Sequence, residues 1–204
     1  MTPTEIVMIT DRSGSMSSVA DDAIGGFNRF LADQQAMPGS ANLTLVLFDD
    51  EYLEPHFRVP LAGVPPLTPE TYRPRGTTAL YDAIGRAVTH LQQSMPAEAK
   101  VIVCIITDGY ENASKEWTWS SVKQLVDQKT NHGWEFVFVA GNIDAEVAGG
   151  QIGIHHTLSF AMMTADTTPL AYQALSQAAD SFRRTGAIDQ TWAVDPDSRD
   201  KSGS

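Results

Sequence analysis

Three short polar clusters hold the residues of this chain best suited to chemistry: Asp11-Arg12-Ser13-Gly14-Ser15, Arg75-Gly76-Thr77-Thr78 and Thr107-Asp108-Gly109. Asp11 and Asp108 offer carboxylate oxygens, and Ser13, Ser15 and one threonine offer hydroxyls. An all-oxygen set suits a hard divalent cation. Mg²⁺ and Mn²⁺ favour octahedral oxygen coordination, at about 2.0–2.1 Å for Mg²⁺, and usually keep some water. With neither thiolate nor imidazole in the set, zinc is a poor match. The alternate spacing Asp-x-Ser-x-Ser turns Asp11, Ser13 and Ser15 the same way if the loop is extended, and Gly14 relieves crowding where backbone wraps a small ion. Taken singly, each cluster is also an ordinary turn or helix cap.

Elements that could bring the clusters together alternate along the chain. Glu5 to Thr10 is a compact β-rich run that ends at the first cluster. From Ser17 to Ala36, Val19, Ala23, Phe27, Phe30 and Leu31 recur at helical spacing, and Pro38-Gly39 stops them. Asn42 to Phe48 reads as a buried strand and Tyr52 to Leu61 as an edge strand, with Asp49-Asp50 turning between them or forming an outer shell to a metal. Pro65 to Pro74 is loop. Thr78 to Ser94 is a helix, and Val101 to Ile106 is a strand buried on both faces that ends at the third cluster. Helix from Trp117 to Asn131, strand from Trp134 to Ala140, a short helix from Asp144, strand from His155 to Phe160 and helix from Pro169 to Arg184 complete the pattern.

Such alternation implies a Rossmann-like three-layer α/β/α sandwich, a mostly parallel sheet with one antiparallel edge strand. Ligands of open parallel sheets bind beyond the carboxyl ends of the strands, where all three clusters would lie. The expected division is one domain over 1–184 and a polar, disordered tail over 185–204.

Charge and composition narrow the function. A net charge of −11 without clustered Lys or Arg argues against nucleic acid. No basic leader with an apolar core opens the chain, and no apolar stretch approaches ~18 residues, so neither export nor a membrane span is expected and a cytoplasmic location follows. Cys104, the single cysteine, sits in the most apolar run and reads as core. Arg12 would be exposed beside an ion, and Glu111 and Asn112 could rim it. His155-His156 should diverge across a strand, and Trp117 and Trp119 read as packing residues, with partner hot spots as the alternative.

Asp11-Arg12-Ser13-Gly14-Ser15 resembles the D-x-S-x-S signature of the metal-ion-dependent adhesion site in von Willebrand factor A-type (VWA) domains, whose fold integrin I domains share. Gly76-Thr77-Thr78-Ala79-Leu80-Tyr81-Asp82-Ala83-Ile84 is similar to that family's G-G-T-x-L-x-x-A-L/I element, with Thr77 where glycine is common, and Thr107-Asp108-Gly109 matches its T-D-G. The likeness spans roughly residues 4–184 and extends to small, stand-alone bacterial or phage members. It implies a metal held by Asp11, Ser13, Ser15, Thr78 and Asp108: Mg²⁺ or Mn²⁺, with Ca²⁺ admitted. It also implies a non-enzymatic interaction module, in which an open coordination position takes an Asp or Glu carboxylate from a protein partner. AAA-type ATPases and stress-resistance complexes are the partner classes suggested. Two alternatives stay open: a metal-dependent hydrolase or phosphotransferase using Asp11, and an assembly module whose metal is only structural. Against the first, Ser13 stands where a dehalogenase-type phosphatase has its second Asp, and neither a phosphate loop nor a nucleophile elbow is present.

Overall fold

The computed structural model describes residues 3–96 and 98–193. Six strands and five helices follow one another: β1 (Thr4–Asp11), α1 (Ala20–Ala36), β2 (Ala41–Phe48), β3 (Tyr52–Pro60), α2 (Leu80–Ser94), β4 (Val101–Thr107), α3 (Trp119–Thr130), β5 (Glu135–Gly141), α4 (Ala145–Gln151), β6 (His156–Phe160) and α5 (Thr167–Thr185). The sheet order is β3-β2-β1-β4-β5-β6. Every neighbouring pair is parallel except β2 and β3, so the expected layering and antiparallel edge are both present.

Alternation along the central strands sends side chains into two cores. Ile6 and Met8 of β1, with Ile102, Cys104 and Ile106 of β4, face α1 and α5, where they meet Phe27, Phe30, Leu175 and Phe182. Val7, Ile9, Val103 and Ile105 face the other way, against Ile84 and Val88 of α2 and Val122 and Val126 of α3. Burial on both faces is why these strands read as continuous apolar runs. Cys104 is fully buried, and burial lifts its thiol pKa to about 12, which removes it from thiolate chemistry.

Chain order reverses between β1 and β4: β2 lies to one side of β1, and β4, β5 and β6 follow on the other. Asp11 closes β1 and Asp108 directly follows β4, so both carboxylates lie at this switch point. At the antiparallel edge, β2 and β3 change register twice, between Leu43 and Leu45 and between Leu45 and Leu47, and Arg58 takes a left-handed φ of 51°. Among the described residues no helix is long and apolar enough to cross a membrane.

Some boundaries depart from the sequence pattern. A short 3₁₀ helix, Gly14–Val19, precedes α1, so Ser15 reaches the site from a helical turn rather than an extended loop. The third helix starts at Trp119, not Trp117, because Thr118 and Ser121 form a reciprocal cap there. Trp117 instead packs on α2 against Gly85, where an added Cβ would meet the indole at 2.1 Å, whereas Trp119, also expected to pack, is exposed. His156 pairs with Glu135 at 3.2 Å while its neighbour His155 is exposed. Of the segment 185–204 expected as a polar tail, the described part runs to residue 193. There Trp192 is buried, with the His156 ring edge-on to it at 6.3 Å. Residues 194–204 lie outside the described residues.

Candidate metal centre

The five residues singled out in the sequence come together at the carboxyl edge of β1 and β4. Asp11 is wholly buried, and both its oxygens accept short hydrogen bonds: Oδ1 from the Ser13 backbone N–H (2.6 Å) and Oδ2 from the Thr107 hydroxyl (2.6 Å). The Ser15 hydroxyl donates to Asp108 Oδ1 at 2.6 Å, which leaves the Ser13 hydroxyl as its own donor at 3.0 Å. Thr78 is buried, with its hydroxyl 3.5 Å from where a Cβ on Gly109 would stand. Asp11, Ser13, Ser15 and Asp108 are thus linked by hydrogen bonds, with Ser15 on the exposed side and Thr78 beside Gly109.

Loops meeting at this edge hold the arrangement. The Arg12 carbonyl accepts from Arg75 N–H (2.8 Å), and Gly14 N–H donates to the Gly76 carbonyl (3.2 Å), so the first two clusters are stitched together. Gly76 has φ +67°, and a Cβ there would sit 1.8 Å from Asp50 Oδ1, so only glycine fits. The Asp49 carbonyl accepts from Ala79 N–H at 2.9 Å. Asn112 grips Thr78 from both sides: its side-chain oxygen accepts from Thr78 N–H (2.9 Å) and its own N–H donates to the Thr78 carbonyl (3.0 Å). Glu111 caps its own loop, accepting from Ala113 and Ser114 N–H, and reaches α2 through Tyr81 N–H.

Electrostatics separates this cluster from its surroundings. Burial raises the Asp11 pKa from 3.8 to about 6, against the pull of its hydrogen bonds, and the nearby charge that adds to the rise is Asp108, of like sign. Burial raises the Asp108 carboxyl as well. Next door, charges are already matched. Arg12 pairs with Asp49 at 3.0 Å, and Arg75 pairs with Glu51 at 2.6 Å. Arg12 is therefore not the exposed residue expected; at 5% exposure it is spent on the wholly buried Asp49, which turns the chain between β2 and β3 as expected, its side chain accepting from Glu51 N–H.

The donor set fits a hard divalent ion by its chemistry. Among the described residues no three His, Cys, Asp or Glu side chains gather as a metal group, so any ion here rests on two carboxylates plus neutral hydroxyls. Three further residues shape the site beside the five named as ligands. Thr107 fixes Asp11 Oδ2. Tyr72, buried in the proline-rich loop, donates its phenol to the Asp11 carbonyl at 2.6 Å. Asn142, in a left-handed conformation (φ 61°), donates its amide to the Asp108 carbonyl at 3.2 Å. Asparagine tolerates that conformation, and its place just after a strand is the one clue the sequence held.

Comparison of the whole chain finds the same architecture in solved structures. The vWF domain of the type V pili tip protein Mfa5 from Porphyromonas gingivalis superposes with a TM-score of 0.66 at 11% identity, covering 92% of this chain and 98% of that one. The ArnB paralog VWA2 from Sulfolobus acidocaldarius gives 0.61 at 15% identity, over 87% of this chain and 45% of that. The fold is that of a VWA domain. Proximal thread matrix protein 1 from the mussel byssus, solved with a zinc-occupied MIDAS motif, shares this VWA fold with a TM-score of 0.60 at 12% identity, over 87% of this chain and 48% of that. The chain thus spans less than half the length of the last two relatives. No family model matches the chain, and no curated protein matches it.

Proposed function

We propose that Asp11, Ser13, Ser15, Thr78 and Asp108 hold a divalent cation, Mg²⁺ or Mn²⁺ with Ca²⁺ admitted, and that the VWA domain uses it to capture a carboxylate of a protein partner. One observation carries the reading: two buried carboxylates of like charge face hydroxyls, while the arginines of the same edge are committed to Asp49 and Glu51. A buried anionic pair without a counter-charge is costly to fold, and a cation at that point turns the cost into attraction. Ser13, Ser15 and Thr78 add oxygen without adding negative charge. A bound ion supplies uncompensated positive charge and a coordination position for an outside carboxylate.

The zinc-occupied MIDAS of the mussel protein supports a divalent ion on this scaffold. Binding is favoured over catalysis because both carboxylates of the cluster serve as ligands in this reading, and the Ser15 hydroxyl donates to one of them, Asp108, which leaves neither free as a general base. The partner classes remain those the resemblance implies, an AAA-type ATPase or a stress-resistance complex. Calorimetry on chelator-stripped protein tests the centre: one Mg²⁺ or Mn²⁺ per chain is expected, lost in a folded Asp11→Ala variant. Absence of binding in the unaltered chain sinks the reading.

A further inference from the structure

The two flanks of the metal edge differ. On the β2–β3 side Arg12 and Arg75 pair with Asp49, Asp50 and Glu51. On the β5–β6 side lies an open hollow of ≈ 510 Å³, lined among others by Tyr110, Asn142, Asp144, Glu146 and Phe160, with no Lys, Arg or His in its wall. The described residues include five exposed large apolar side chains, and three belong to this flank. Tyr110 (58% exposed) is in the wall, while Val147 (52%) and Met162 (59%) each follow a wall residue in the chain. Exposed aromatic and methionine side chains beside acids mark a surface suited to a partner, since such residues bury well in interfaces.

The hollow adjoins the metal centre through two of its lining residues. Asn142 lines it and donates to the Asp108 carbonyl, and Tyr110 follows Asp108-Gly109 directly. Asn142 is held in a left-handed conformation, and α4 behind it is capped by the Asp144 side chain on Val147 N–H (3.1 Å) and by Ser159 Oγ on Ala145 N–H (2.8 Å). The floor is therefore fixed before anything binds, which lowers the ordering cost of docking.

We propose that the protein segment captured at the metal centre also seats an apolar or aromatic side chain in this hollow and sets a Lys or Arg against Asp144 and Glu146. This rests on the carboxylate-capture reading above and names its partner: an acidic anchor flanked on one side by an apolar and a basic residue. Charge complementarity fixes the last element. A chain of net charge −11 repels a purely acidic segment, and a basic flank facing the acids of the hollow offsets that repulsion.

Panning random phage-displayed peptides on the full chain in Mg²⁺, then measuring anisotropy of the enriched peptides with a fluorescein label, tests the arrangement. Enriched sequences should pair an Asp or Glu with an apolar and a basic neighbour. Their binding should vanish with chelator. It should also weaken about tenfold in Tyr110→Ser/Met162→Ser and in Glu146→Lys, each checked by calorimetry to bind Mg²⁺ as before. Peptides that need metal but ignore these substitutions overturn the proposal and leave carboxylate capture standing. Peptides that bind equally in chelator and to Asp11→Ala overturn both the capture reading and the two-point seat. Failure to enrich any sequence overturns the proposal as well.

Discussion

Strand β1 carries a buried carboxylate near each end, and the chain treats them in opposite ways. Glu5, 1% exposed, accepts from Arg58 Nη2 and from Asn42 Nδ2, each at 2.9 Å. Asp11, fully buried six residues later, accepts from the Ser13 backbone N–H and the Thr107 hydroxyl, with Asp108 as the nearby charge. Arg58 adopts a left-handed backbone in a bulged strand beside Glu5, a conformation costing roughly 1 kcal/mol in an L-residue. Burial alone thus does not mark a binding site. The mark is a buried carboxylate for which the fold provides hydrogen bonds but no cation.

The comparison breaks if the two ends answer alike. The largest effect expected is on metal: Asp11→Ala abolishes Mg²⁺ binding in calorimetry, whereas Glu5→Gln leaves the affinity within about twofold. Next, Arg58→Ala strands Glu5 without its cation and should cost about 3 kcal/mol in urea denaturation, the low end for a broken buried pair because Arg58 is 26% exposed. That loss should be the same in Mg²⁺ and in chelator.

At the other end the sign reverses. With a folded pKa of about 6 against an unfolded 3.8, metal-free protein binds more protons at Asp11 than the unfolded chain does between those values. The contribution of Asp11 to stability is therefore full below 3.8 and is lost as pH rises through 6, by about 2–3 kcal/mol. In chelator, the difference in stability between the unaltered protein and Asp11→Asn should shift by that amount between pH 4 and 7.5; no pH dependence of the difference would contradict the assignment. The smallest effect is at Tyr72→Phe, which removes the phenol bonded to the Asp11 carbonyl and should cost about 1 kcal/mol in the same denaturation assay.

Much of this architecture is legible in one sequence because burial on both faces writes itself as unbroken apolar runs, as in Val101–Thr107, and because polar clusters end those runs where the sheet meets solvent. Asp11, Ser13, Ser15, Thr78 and Asp108 could be named from residue type, order and position relative to strands. Contacts across the fold were not legible. Arg12 looks like a variable, solvated position until the β1–β2 register sets Asp11 beside Phe48 and brings Asp49 within reach. Tyr72 lies in a stretch whose prolines say loop and nothing about what the loop touches. Trp192 lies in the part of the sequence that turns polar and unpatterned, so its packing beside His156 depends on where α5 delivers the chain.

The irregular β3 edge has a consequence for behaviour at high concentration. A smooth outer strand is a template on which another copy can add its own strand, the first step towards fibrils. Here Pro55 and Pro60 remove two donors, the register slips twice, and Arg58 turns out of the pleat. The irregularity that brings the Arg58 guanidinium to Glu5 therefore also spoils this edge for strand addition, and straightening it would be expected to raise the tendency of the protein to aggregate.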